Sequence, residues 1–301
     1  MQTGVKVIRG GTTYNLDDLV SYFHLDHEGI GMPPVERLQS SSPFQVGATD
    51  FGFKIRPRTL TVLFLVSAYS PGDYYVKRDA LLRIFSPSTT PITFQFQYPD
   101  AAGNPRYVRL DAHYVGGLDL PESDRTYDLK HKVGLQLYAP NPIWYESTLQ
   151  SKVWGIVSNN YLIFPITFSI QFCDSLINQG YTIAYAGSWV DYPTFIITGP
   201  CNNPKIQNLS TTPQSKIELT YVVDVGETVT IDLTPGVKSI TSNTDGNILG
   251  ALTTDSDLAG FHLAPDTEVT GGNNDIKATL TGATPGTTQL QMTWRNRYLG
   301  I

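Results

Sequence analysis

The side chains best suited to chemistry fall within residues 24–28, where His24 and His27 stand three apart with Asp26 and Glu28 beside them. Imidazoles flanked by carboxylates are the donor types of a transition-metal site. Spacing alone does not build one, and the Gly- and Pro-rich run that follows (Gly29, Gly31, Pro33, Pro34) predicts a polar surface loop here. Asp17 with Asp18, and Asp255 with Asp257, offer carboxylate pairs. An acid/base couple is defined by its separation across a substrate, which closeness along a loop does not set. A nucleophilic serine on a sharp Gly-x-Ser-x-Gly turn is missing from the sequence.

Binding motifs fare no better. Gly29-Ile30-Gly31 begins like a dinucleotide fingerprint, but Pro34 stands where the third glycine belongs, and no helix pattern follows to offer amide groups to a phosphate. Asp245, Gly246 and Asn247 lie in a turn-rich segment without the ligand spacing of a calcium loop, so a hairpin turn accounts for them. Trp144, Trp154, Trp189 and Trp294 would serve as sugar-stacking platforms if exposed. Core packing is the expectation for each, because indole buries a large area at small entropic cost. The expected inventory is therefore no catalytic residue, no cofactor-binding residue, no metal ligand and no cofactor.

The elements that would have to position such groups read as β-structure. Of 301 residues, 41% are hydrophobic and 16% charged, with 17 Tyr and 13 Phe among many Val, Ile and Thr, and with 26 Gly and 20 Pro to make turns. Ile92, Phe94, Phe96 and Tyr98 alternate with Thr93, Gln95 and Gln97, which predicts a half-buried antiparallel strand. The same period returns over 166–172 and at Leu290, Met292 and Trp294. Residues 59–68 are nearly all apolar or β-branched, the pattern of a central strand covered on both faces. One helix interrupts, over 74–85, with Asp73 as its cap and Val76, Ala80, Leu81, Ile84 and Phe85 on its buried side; Pro87 ends it. Ala139, Pro140, Asn141 and Pro142 disfavour helix and ladder alike, which places a domain boundary there. Beyond it, strands at 181–185, 192–197, 216–223, 228–233 and 289–294 alternate with Gly, Pro, Asn and Asp clusters. The reading is an all-β chain with one short helix and two β-sandwich domains, 1–146 and 147–301.

Charge and cysteine content narrow the classes. The net charge of −6 comes without a Lys/Arg stripe, so no specific nucleic-acid binding is expected. The two cysteines, Cys173 and Cys201, are too few for a disulfide framework and read as buried thiols. No apolar stretch reaches the length of a bilayer span and no secretory leader is evident at the start, so no membrane insertion is expected.

The order of several short segments resembles one family. Gly29-Ile-Gly-Met-Pro-Pro-Val-Glu-Arg, Phe44-Gln-Val-Gly, Arg58-Thr-Leu-Thr-Val-Leu-Phe-Leu-Val, Arg78-Asp-Ala-Leu-Leu-Arg and Asn141-Pro-Ile-Trp-Tyr are similar to the ring domain of siphophage distal tail proteins. Pro193-Thr-Phe-Ile-Ile-Thr-Gly-Pro, Pro204-Lys-Ile-Gln-Asn, Gly226-Glu-Thr-Val-Thr-Ile-Asp and Tyr298-Leu-Gly-Ile resemble the same family's C-terminal sandwich. The likeness is poorest over 248–272. It implies a virion structural protein at the tail tip whose first domain closes a six-fold ring and whose second domain is galectin-like or jelly-roll-like. It further implies as partners the other copies of the ring, the major tail tube protein, the tape measure protein, and tail-associated hub, lysin or receptor-binding proteins. An open sandwich has edge strands that a symmetric assembly can pair, which suits such a role. The alternative is a carbohydrate-binding module that attaches to host wall glycans through exposed aromatics; a wall-cleaving enzyme is a third class.

Overall fold

The computed structural model describes residues 4–99, 103–120, 129–155 and 176–301. The anticipated strand at 166–172 and Cys173 lie outside these residues. The chain divides into two compact units, Met1–Ser147 with Tyr298–Ile301, and Thr148–Arg297. The last four residues thus belong to the first unit, a return that a single cut near 146 does not contain.

The first unit is built from β1 (Val5–Arg9), β2 (Thr12–Asn15), β3 (Tyr22–Glu28), β4 (Val35–Ser40), β5 (Thr49–Ile55) and β6 (Arg58–Ser67). After helix α1 (Pro71–Ile84) come β7 (Ile92–Pro99), β8 (Pro105–Gly117), β9 (Lys130–Ala139) and β10 (Trp144–Glu146). One antiparallel sheet runs in the order β2-β1-β7-β8-β9-β6-β3. Strand β8 is its corner: residues up to Ala112 pair with β7, those from His113 with β9, and a bulge lies between Tyr114 and Gly116. A long strand that changes partners at a bulge folds one sheet over upon itself, so the two layers here are halves of a single sheet. Between them lie Val7, Leu60, Phe64, Phe94, Leu110 and Leu135, all buried. Complete burial of side chains of this size contributes about 1.5–3 kcal/mol each.

Two expectations need correction. Strand β6 is not central; it is next to the edge strand β3, and only its Leu60, Val62, Phe64 and Val66 face is fully buried while Leu63 and Leu65 are half-buried. Its continuous apolar run reflects one core face plus a partly covered one. The helix begins at Pro71, not Tyr74, with Ser70 as N-cap: its hydroxyl accepts from the Asp73 N–H at 3.2 Å. Asp73 instead reaches back to accept from the N–H of Tyr69, the residue before the N-cap, at 2.9 Å. Tyr74, Leu81 and Ile84 form the buried side, whereas Val76 is exposed. The three- and four-residue spacing put Val76 on the buried side, but the stripe that this helix buries is narrower.

The second unit contains β11 (Gln150–Gly155), β12 (Leu176–Ala184), β13 (Thr194–Thr198), β14 (Cys201–Asn208), β15 (Ser215–Glu218) and β16 (Val222–Val223). They are followed by β17 (Thr228–Asp232), β18 (Ser239–Ser242), β19 (Gly246–Asn247), β20 (Asn273–Thr281) and β21 (Gln289–Trp294). Strand β22 (Arg297–Tyr298) crosses from this unit into the closing residues of the first. Two antiparallel sheets, β11-β21-β13-β17-β18-β19 and β12-β20-β14-β15, enclose Phe195, Ile197, Ile231, Ile276 and Met292. Strands β14 and β20 escape a pattern search because Asn, Lys and Asp occupy their outward positions beside short apolar ones.

Candidate assembly surface

Residues 35–55 form a two-stranded sheet of their own, with Val35 opposite Ile55 and Ser40 opposite Thr49. The Arg56 N–H donates to the Pro34 carbonyl at 2.8 Å and closes the base of this hairpin. Arg37 pairs with Asp50 at 3.2 Å, Arg56 pairs with Glu36, and the Arg37 guanidinium lies 5.8 Å from the centre of the Phe53 ring. An isolated two-stranded ribbon is at best marginally stable in water. Yet both faces of this one are open: Val35, Leu38, Phe51 and Phe53 are exposed, and at the tip Phe44 and Val46 are 106% and 101% exposed. Phe44 also has a positive φ of 71°. A left-handed backbone costs an ordinary side chain free energy, so Phe44 adopts its backbone conformation against local preference. Phe51, Phe53 and Ile55 carry a period-two signal that would have revealed the hairpin.

The frame beneath is closed by a buried cation. Arg58, at the start of β6, is 2% exposed, and its guanidinium donates to the carbonyls of Gly29 (3.0 Å), Gly31 (2.9 Å) and Leu299. It lies 5.6 Å from the Trp144 ring, and burial pushes its pKa down to about 10. The Ile301 N–H donates to the Ile30 carbonyl at 3.1 Å. Glycine is required on both sides of this contact. Gly29 has φ +84°, and a Cβ there would lie 2.2 Å from the Thr59 carbonyl oxygen; one on Gly300 would lie 2.7 Å from the Gly31 carbonyl carbon. The segment that opens like a nucleotide fingerprint is thus the seat of the chain's last residues. Arg9 donates to the carbonyls of Arg83, Ile84 and Ser86 and satisfies the C-terminal end of α1.

The residues singled out for chemistry serve structure. His24 and His27 lie in strand β3, not in a loop, because the edge strand continues through them by a bulge between His24 and Asp26. Their rings stack at 4.9 Å, with His27 Nδ1 3.0 Å from His24 Nε2. Burial, together with the facing His27, holds the His24 imidazole below its ordinary pKa. Among the described residues no three metal-binding side chains gather. Asp17 accepts from the His24 N–H. Asp18 accepts from the N–H groups of Val20, Ser21 and Tyr22, and although burial raises its pKa, those donors bring it below the usual carboxylate value. Asp255 is ion-paired with Lys216, while Asp257 caps Gly260 N–H at 2.6 Å. Trp144 and Trp154 are fully buried, as expected, whereas Trp189 and Trp294 are half-buried. Cys201 is buried, and desolvation pushes its thiol up to about 12. Asp245 lies in the turn after β18, and Gly246 and Asn247 form β19, paired with Ser242 and Thr241.

Residues 11–129 match the model of the phage tail protein RIFT-related domain. The whole chain has the fold of the Dit protein of phage SPP1, a paradigm of the hub adsorption apparatus in phages that infect Gram-positive hosts. The TM-score is 0.64 at 14% identity, over 97% of this chain and 98% of that one. A chain of the phage P2 baseplate in its activated conformation with Ca has the same fold, with a TM-score of 0.51 at 9% identity over 98% of each chain. No curated protein sequence matches. The chain thus carries a phage tail protein domain over 11–129 and shares its fold with a phage hub protein and a phage baseplate protein.

Proposed function

We propose that the protein closes, in six copies, a ring at the tail tip that joins the tail tube to the adhesion apparatus. In this reading the domain over 1–146 makes the ring and docks beneath the tube, while the galectin-like domain over 147–301 holds hub, lysin or receptor-binding components. The tape measure protein would end inside the ring. The role is one of adhesion between proteins, without catalysis.

The observation that carries this reading is the β4–β5 hairpin, whose apolar tip at Phe44 and Val46 is wholly exposed. Apolar surface presented in this way on a virion component is the mark of a protein contact, and a heterologous contact repeated around an axis closes a ring. Six-fold symmetry rests on the resemblance to siphophage distal tail proteins. Negative-stain microscopy and light scattering on the purified chain, alone and with its tail-tube protein, test it. Annular particles of six copies are expected in at least the second sample; monomers, or open filaments, in both would refute the ring.

The carbohydrate-binding alternative requires an exposed aromatic face. It draws no support from Trp154, Trp189 or Trp294, which are buried or half-buried in the second unit.

A further inference from the structure

One end of the second unit is acidic and apolar at once. The strand register pairs Thr198 with both Thr228 and Gln289, Val229 with Ser242, and Asn202 with Thr281, so the stretches 198–203, 219–228, 242–251 and 281–289 gather there. Their charged side chains are Asp224, Glu227 and Asp245, and none of these stretches contains Lys, Arg or His. Between the acids stand aliphatic groups turned to solvent: Val222, Val225 and Leu249 are 57%, 78% and 40% exposed. The Thr220 N–H donates to the Ala251 carbonyl and the Thr253 N–H to the Glu218 carbonyl, an antiparallel pairing that brings the segments carrying Val222 and Leu249 together.

The carboxylates at this end are short of donors. The Tyr221 phenol oxygen is 2.6 Å from Glu227 Oε1 and 2.8 Å from Asp245 Oδ2. The bond to Glu227, with burial, pushes the phenol's pKa up, so its proton stays in place. A phenol has a single proton and donates it to one carboxylate at a time. Glu227 is buried and well supplied, since it also accepts from the Ser242 hydroxyl and from the Asp224 N–H at 2.8 Å. The deficit therefore falls on the exposed Asp245. Among the described residues of this unit the ion pairs join Lys205 and Lys216 to Glu218, Lys216 to Asp255, His262 to Glu268 and Arg297 to Asp191, which leaves out Asp224 and Asp245.

We propose that this end of the second unit docks a protein segment in which Lys or Arg alternates with aliphatic side chains. The cations bond to Asp224 and Asp245 and supply the donors that the fold does not, while the aliphatic groups cover Val222, Val225 and Leu249. Exposed apolar surface interleaved with one sign of charge suits a protein partner of the opposite sign. A divalent metal fits less well, because it needs several free oxygen ligands and both Glu227 oxygens already accept hydrogen bonds. A nucleic acid would meet like charge. The inference rests on the reading that the second domain holds other tail components, and is independent of ring closure.

Fluorescence anisotropy with the full chain and short labelled peptides tests the surface, using one peptide that alternates Lys and Val, one that alternates Lys and Ser, and one that alternates Glu and Val. Saturable binding of the Lys–Val peptide is expected, with the Lys–Ser peptide about tenfold weaker and the Glu–Val peptide inert. Asp245→Asn and Val225→Ser, both at exposed positions, should each weaken Lys–Val binding about tenfold with unchanged unfolding midpoints. Asp232→Asn, at the opposite end of β17, should leave binding as it was. Equal binding of the Lys–Ser peptide, displacement of the Lys–Val peptide by calcium chloride at constant ionic strength, binding that survives both substitutions, or no saturable binding would each overturn the proposal. Cross-linking in assembled virions separates it from the reading beneath it. Cross-links from 147–301 to other tail proteins that avoid 219–251 would keep the holding role and sink this surface, whereas none from 147–301 at all would sink both.

Discussion

The guanidinium of Arg58 donates to the carbonyl of Leu299, 241 residues further along the chain, while its other bonds hold Gly29 and Gly31. A buried cation with carbonyl acceptors from two distant segments makes the chain's last residues part of the first unit's core.

Arg58→Met should therefore destabilise the first unit by about 2–4 kcal/mol, because buried carbonyls lose their donor. Deletion of 298–301 should cost a similar amount. Combined, the two changes should cost less than their sum, since each removes the same contact. Denaturant unfolding followed by tryptophan fluorescence measures this, and strict additivity would show that the contact is not shared.

At the hairpin the opposite holds. Phe44→Ser with Val46→Ser removes side chains that touch nothing in the isolated chain, so stability should change by no more than about 0.5 kcal/mol. Ring formation should be lost in the same variant. Light scattering and thermal unfolding on one preparation separate these effects.

Alkaline stability follows from two tyrosines. Burial, with the nearby Asp18 and Asp73 carboxylates, pushes Tyr22 up to about 12; burial and Asp111, whose carboxylate accepts from the phenol at 3.0 Å, do the same for Tyr145. Below pH 10 both phenols are neutral in the folded and the unfolded chain. Between 10 and 12 the unfolded chain releases protons that the folded one retains, so stability declines across that window and levels off above it. The Tyr22→Phe variant should show a shallower decline in unfolding midpoint; an unchanged slope would count against the assignment.

Asn274→Ala in the second unit removes the amide that ties Ala264 and Gly272 to Asn208. A loss of about 2–4 kcal/mol is expected from the unsatisfied groups left behind. Hydrogen exchange should locate the loosening over 260–274, with amides of the first unit unaffected.

The sequence by itself determined the class of fold. Period-two apolar alternation over 92–98 and 289–294 leaves a strand no choice of face, because a one-residue slip would expose the whole apolar set. The helix ahead of Pro87 was readable for the same local reason. Tertiary structure alone decided where the alternation was ambiguous. Whether a run such as β6 lies at the centre or beside the edge depends on which strands pair with it. Whether Val76 is buried depends on the sheet beneath α1. Whether His24 and His27 sit in a loop or a bulged strand depends on β6. The seat of Leu299 beneath Arg58, and the meeting of Tyr221 with Asp245, join residues tens to hundreds of positions apart. Such contacts leave no periodic trace in a sequence, since they are set by the path of the backbone through space and not by the spacing of residues along it.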